Sequence, residues 1–128
     1  MNIEYIHSDR STGFNDRGAC SVNALATVAD IPFLEAQALM AAAGRKHGRG
    51  VRMTTKWWTK VPKYRFAPVI RSTHTVGRFI KKFPTGRYVV RKKGHIFSII
   101  DGRVFDWLPQ PQGPRTRLTH AWKLEPRA

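Results

Sequence analysis

A chain of 128 residues has room for one packed domain and little more. Hydrophobic residues make up 41%, enough to build a core, which excludes global disorder. Lys and Arg number 23 against 8 Asp and Glu, a formal net charge of +15; such a balance favours negatively charged partners, or serves only as a solubilising surface.

The opening "MNIEYIHSDR" has no apolar signal core, and no apolar run reaches the roughly 20 residues of a membrane span. The expectation is a cytoplasmic protein without a secretory signal. One cysteine, Cys20, forms no internal disulfide, in keeping with a reducing compartment. Residues 1–19 read as irregular, with "STGFNDRG" rich in turn formers. Val22, Leu25, Ala26 and Ala29 then fall at helical spacing, which predicts a helix over 20–29. Pro32 suits the first turn of a second helix, whose face continues through Phe33, Ala36, Leu39, Met40 and Ala43 until Gly44 stops it. A basic, Gly-rich loop "GRKHGRGV" follows, then "TTKWWTKV" as one or two helical turns. Thr75 is placed to cap a short helix that ends at Phe83 before "PTG".

The period then changes. "RYVVRKKGHIFSIIDGRVFDWL" is rich in Val, Ile, Phe and Tyr, and Asp101-Gly102 between two apolar runs signals a tight hairpin. The tail beyond Pro109 reads as a loop or edge segment. The predicted fold is α+β: N-terminal helices packed on a small C-terminal antiparallel β-sheet, one domain over residues 1–128.

A two-residue turn at Asp101-Gly102 pairs Ile100 with Arg103 and places His95, Phe97, Ile99, Val104, Asp106 and Leu108 on one face. His95 and Asp106 become diagonal neighbours, roughly 7–8 Å apart at Cα. A polar pair on an apolar face needs a partner, and imidazole and carboxylate supply one to each other. Such a pair is also an ordinary way to satisfy buried polar groups. Cys20 shifts the balance, because a thiol at a helix N-terminus meets the positive end of the dipole, which favours the nucleophilic thiolate. Cys20, His95 and Asp106 together suggest nucleophile, general base and orienting residue. Taken alone, Cys20 reads as a small buried apolar residue.

The stretches "NDRGACSVNALA", "AAAGRKHGRGV" and "TGRYVVRKKGHIFSIIDGRVFDW" resemble the papain-like cysteine peptidase superfamily, in particular its small phage and bacterial members. The resemblance covers residues 13–107 loosely. It implies a papain-like fold, with Cys20 on a central helix, His95 on a strand and Asp106 on the next strand. It implies hydrolysis of a peptide or isopeptide bond, a protein or peptide substrate, and a location in a bacterial host cytoplasm or a virion. Asp101, the rival third member, sits at the far end of the strand from His95. The family's usual oxyanion Gln position is occupied here by Phe14. Asn15 carries the same amide on a shorter arm and is the oxyanion candidate beside the Cys20 N–H; an Asx turn in "NDRG" is the alternative.

Between Glu35 and Asp101 there is no acidic residue, while cations recur throughout. Arg45, Lys46, Arg49, Arg52, Lys81, Lys82, Arg91, Lys92 and Lys93 are the candidates for polyanion binding. Five histidines and one cysteine show no close pair with metal-ligand spacing, so neither a metal nor a cofactor is expected. Two functional readings stand: a Cys-His-Asp hydrolase, and a non-catalytic phage-type protein of the same fold binding nucleic acid or a nucleic-acid-associated partner.

Overall fold

The computed structural model describes residues 3–14, 16, 18–48, 58–108 and 113–125. Strand β1 (Tyr5–His7) comes first, followed by helix α1 (Cys20–Ala29) and helix α2 (Phe33–Ala42). The two helices occupy the spans that the apolar spacing predicts. α1 ends where Asp30 turns left-handed at φ 54°, and its N–H returns to the carbonyls of Ala26 and Thr27. Pro32 caps α2 from an extended backbone, where its missing N–H costs nothing. Trp58–Lys60 forms a short 3-10 turn, and the earlier part of "TTKWWTKV" lies outside the described residues.

β2 (Arg65–Pro68), β3 (His74–Thr75) and helix α3 (Val76–Lys82) follow. Thr75 caps α3 as expected, its Oγ1 accepting the Arg78 N–H at 3.2 Å. Then come β4 (Arg87–Lys92), β5 (His95–Ile100), β6 (Arg103–Asp106), β7 (Arg117–Leu118) and β8 (His120–Glu125). Six strands form one sheet in the order β1-β6-β5-β4-β8-β2, and β3 pairs with β7 in a separate ribbon.

The β5–β6 hairpin has the register that its turn dictates. Ile100 faces Arg103, Ile99 faces Val104 and Ser98 faces Phe105. Asp101 and Gly102 both take positive φ, 49° and 76°, as a two-residue primed turn requires. A Cβ at residue 102 would sit in a strained backbone and meet Ile80 Cγ2 at 3.3 Å. Gly102→Ala is therefore expected to lower stability by about 1–2 kcal/mol and the melting temperature by roughly 3–8 °C. An unchanged thermal unfolding curve would contradict this account of the turn.

Two expectations need correction. The sheet is mixed, because β1 lies parallel to β6, pairing Tyr5 with Val104 and His7 with Asp106. Residues 1–19 thus contribute a strand, one too short to display a period. The segment beyond Pro109 is also no mere loop: β8 lies between β4 and β2, pairing with both. Its prolines, at 111, 114 and 126, lie outside the β8 span and leave its ladder intact.

Strand alternation divides the interior in two. On one side α1 and α2 pack against Val89, Ile96, Trp122, Phe66 and Trp58. On the other, Val76 and Phe79 of α3, with Leu118 of β7, pack against Tyr88, Val90, Phe97, Ile99 and Val104. α1 lies on β5 and β4, and buried Ser98 Oγ donates to the Ala24 carbonyl at 3.1 Å. No single helix among the described residues is long and apolar enough to cross a membrane.

Candidate active site

His95 opens β5 and Asp106 closes β6, so the hairpin brings both to the same end of the sheet. The His95 Nε2–H reaches both Asp106 carboxylate oxygens, each at 2.9 Å. Asp106 is itself fixed: its Oδ1 accepts the Trp107 N–H at 2.7 Å, and its carbonyl accepts the Ser8 N–H at 2.7 Å. The β1 extension therefore braces the carboxylate from the sheet edge. The His95 ring stacks on Phe97 at 5.9 Å with an interplanar angle of 17°, which leaves it little rotational freedom.

Cys20 is the first residue of α1 and is half-buried. Its side chain lies close enough to His95 to help hold the ring protonated. With Nε2 held by Asp106, Nδ1 is the nitrogen that remains for the thiol. No side chain caps α1. Its first N–H groups, that of Cys20 included, have no acceptor within the helix, which suits an oxyanion forming beside the sulfur.

Burial opposes a charge on His95. The Asp106 hydrogen bond, the Cys20 hydrogen bond and the charges on both outweigh it, and the ring's pKa is pushed up to about 9. Near neutral pH the imidazolium is thus the favoured form, ready to give a proton away. A pKa raised above its unfolded value contributes stability below about 6.5, and that contribution disappears as pH rises through about 9. The expected result is an alkaline loss of stability that His95→Ala flattens, read from chemical denaturation at pH values on either side of 9.

The segment ahead of Cys20 is held by residues that the sequence reading passed over. Asp16 is fully buried and receives Arg45 bidentately, Nη1 at 2.8 Å and Nη2 at 2.7 Å. Gln37 Nε2 donates to the same carboxylate at 2.7 Å and the Gly48 N–H at 2.8 Å. The Arg45 hydrogen bonds come first in holding Asp16 well below the usual carboxylate range, against the opposing effect of burial. The loop before Cys20 is thereby tied to α2 and to the turn beyond it. Farther upstream, Asn23 bonds the Arg10 N–H at 2.7 Å and the Ser8 carbonyl at 2.8 Å, seating the incoming chain along α1.

The structure brings Cys20, His95 and Asp106 together. Asp101 is exposed at the hairpin turn, its carboxylate accepting the Gly86 N–H at 2.8 Å. Asn15, Arg49 and Arg52 lie outside the described residues. Phe14 stacks on Phe33 at 5.0 Å. Arg45 leaves the polyanion-binding set: its side chain is 2% exposed and committed to Asp16. Lys46, Lys81, Lys82 and Lys93 are exposed, Lys92 is half-buried, and half-buried Arg91 donates to Thr119 Oγ1 at 2.7 Å. A cavity of about 550 Å³ lined by Tyr64, Arg87, Asp101 and Lys123 sits at the opposite end of β4 and β5 and takes no part in this constellation.

The Asp16–Arg45 pair joins residues 29 positions apart and carries no motif. Its one trace in the sequence is the scarcity of acids, which makes any carboxylate in an apolar neighbourhood a strong candidate for pairing. No protein-family model matches the chain, and no curated protein or solved structure matches it significantly.

Proposed function

We propose that this protein is a papain-like cysteine hydrolase, a peptidase cleaving a peptide or isopeptide bond. The observation that carries the reading is an imidazole hydrogen-bonded to a buried carboxylate, with a thiol at a helix start close enough to act on it.

In this mechanism the Cys20 sulfur, its proton held by His95, attacks the carbonyl carbon. The C–S bond forms as the carbonyl electrons move onto oxygen, where the Cys20 N–H stabilises the charge. His95 Nδ1–H then protonates the leaving nitrogen as the C–N bond breaks, giving a thioester and a free amine. Water attacks the thioester and gives its proton to His95. The carboxylate product leaves and the thiol is restored. Asp106 holds the ring in position and stabilises its cation throughout. The basic hairpin residues Lys92 and Lys93 adjoin His95, so substrates with acidic side chains near the scissile bond are favoured.

The test is pre-steady-state hydrolysis of a p-nitrophenyl ester. The expected result is a burst of one p-nitrophenolate per chain, followed by slower turnover, with a thioester-bound acyl group located on Cys20 by mass spectrometry. A linear release without a burst, with no acyl group on Cys20, would remove the covalent mechanism.

A further inference from the structure

We propose that α3 together with the 113–118 segment forms a docking face for the phosphate backbone of nucleic acid, separate from the thiol site. Val76 and Phe79 turn inward, leaving Arg78, Lys81 and Lys82 exposed on the outer side of α3. The neighbouring segment is bonded directly to that helix. The Val76 N–H donates to the Thr116 carbonyl at 2.8 Å and the Gly77 N–H to the Pro114 carbonyl at 3.0 Å. This places Arg115 beside the start of α3. Arg117 pairs with Thr75 across the ribbon, and buried Leu118 next to it fixes Arg117 outward. A groove of about 340 Å³ runs between the two segments, lined by Thr75, Gly77, Arg78, Lys81 and Pro114.

Among the described residues, no carboxylate answers these five cations. The chain has 8 acidic residues, all of them described. Glu4, Asp16, Asp30, Glu35 and Glu125 pair with Arg103, Arg45, Arg10, Lys63 and Arg65. Asp106 holds His95, Asp9 bonds Ser11, and Asp101 bonds the Gly86 N–H. Five of the cations elsewhere are thus paired with carboxylates, whereas none of the five on the α3 face is.

The chemistry favours a polyphosphate over a protein partner. A protein interface has an apolar centre inside its polar rim. The exposed large hydrophobics among the described residues, Phe14 and Leu34, belong to the α2 side of the sheet. Closely spaced cations around a small groove with no exposed large hydrophobic residue match a backbone that is contacted at its phosphates and not read at its bases.

The test is fluorescence anisotropy of the full chain with a labelled short duplex of mixed sequence, between about 50 and about 200 mM salt. Two variants each remove three charges: Arg78, Lys81 and Arg115 all to Gln, and Lys60, Lys63 and Arg65 all to Gln. The first is expected to weaken binding about 10- to 100-fold and to reduce the slope of log affinity against log salt by about 3, and the second to change both little. Cys20→Ser should bind like the parent, so loss of the hydrolase reading leaves this result untouched. Equal losses in both triple variants would overturn the proposal, since only total charge would then matter. Binding to phosphatidylserine vesicles but not to the duplex would also overturn it, by making the face a membrane contact.

Discussion

His95→Ala is expected to slow ester or peptide hydrolysis by about 10²- to 10⁴-fold, the usual cost of losing a positioned general acid–base group. Cys20→Ser is expected to abolish the acyl burst. The structural reason lies in how completely the ring is committed. Asp106 takes Nε2, Phe97 supports one face, and Cys20 lies beside the ring. The Asp106 variants separate charge from orientation. Asp106→Asn keeps an acceptor for Nε2–H but removes the charge that helps hold His95 protonated, so the alkaline limb of the rate profile should move down from about 9. Asp106→Ala removes orientation as well and should lose more rate. The measurement is kcat/KM against pH for each variant, with the rate of iodoacetamide labelling as an independent readout. Alkylation of Cys20 at the same speed with and without His95 would contradict the coupling of thiol to imidazole.

Arg45→Ala is expected to be strongly destabilising, costing about 3–5 kcal/mol. A drop of roughly 10–20 °C in melting temperature follows for a chain of this size. The cost comes from the carboxylate left behind. Asp16 has no exposed side-chain surface, and removing its bidentate partner strands a buried anion. A typical domain has only about 5–15 kcal/mol to lose, so this variant can fail to accumulate. The double replacement Asp16→Asn with Arg45→Met then decides the matter, because it removes both charges together and should recover much of the loss. The pH dependence runs opposite to that of His95. A depressed carboxylate contributes stability above its unfolded value near 3.9, and that contribution is lost as pH falls below it. Acid denaturation midpoints should therefore shift when Asp16 is replaced. A double variant no more stable than Arg45→Ala would refute the ion-pair account.

The parts of the molecule that were legible in the sequence are those decided by neighbours along the chain. Asp101-Gly102 fixes the hairpin register through backbone handedness alone, and that register places His95 near Asp106 without any tertiary information. Thr75 announces α3 through one side-chain hydrogen bond. The less legible parts depend on distant partners. β1 is three residues long and exists because β6 offers it an edge. β8 reads as tail because "THAWKLE" has no turn signal relating it to β4, and its place depends on Trp122 reaching the same core as Trp58. Arg45 resembles every other cation in its basic loop until Asp16 is found beside it.

The interleaving of β8 between β4 and β2 has a kinetic consequence. Arg65 meets Glu125, and Tyr5 meets Val104, so the sheet closes through contacts between residues far apart in sequence. Topologies of high contact order fold slowly, because the entropy of closing long loops must be overcome before distant contacts compensate for it. A nascent or nicked fragment that ends before β8 leaves β4 unpaired on that side and the hairpin poorly supported. The sulfur in such a fragment would lack a fixed imidazole beside it. On the proposed mechanism, nucleophilic competence is therefore a late product of folding, gained when the whole sheet closes and lost as a unit when it opens.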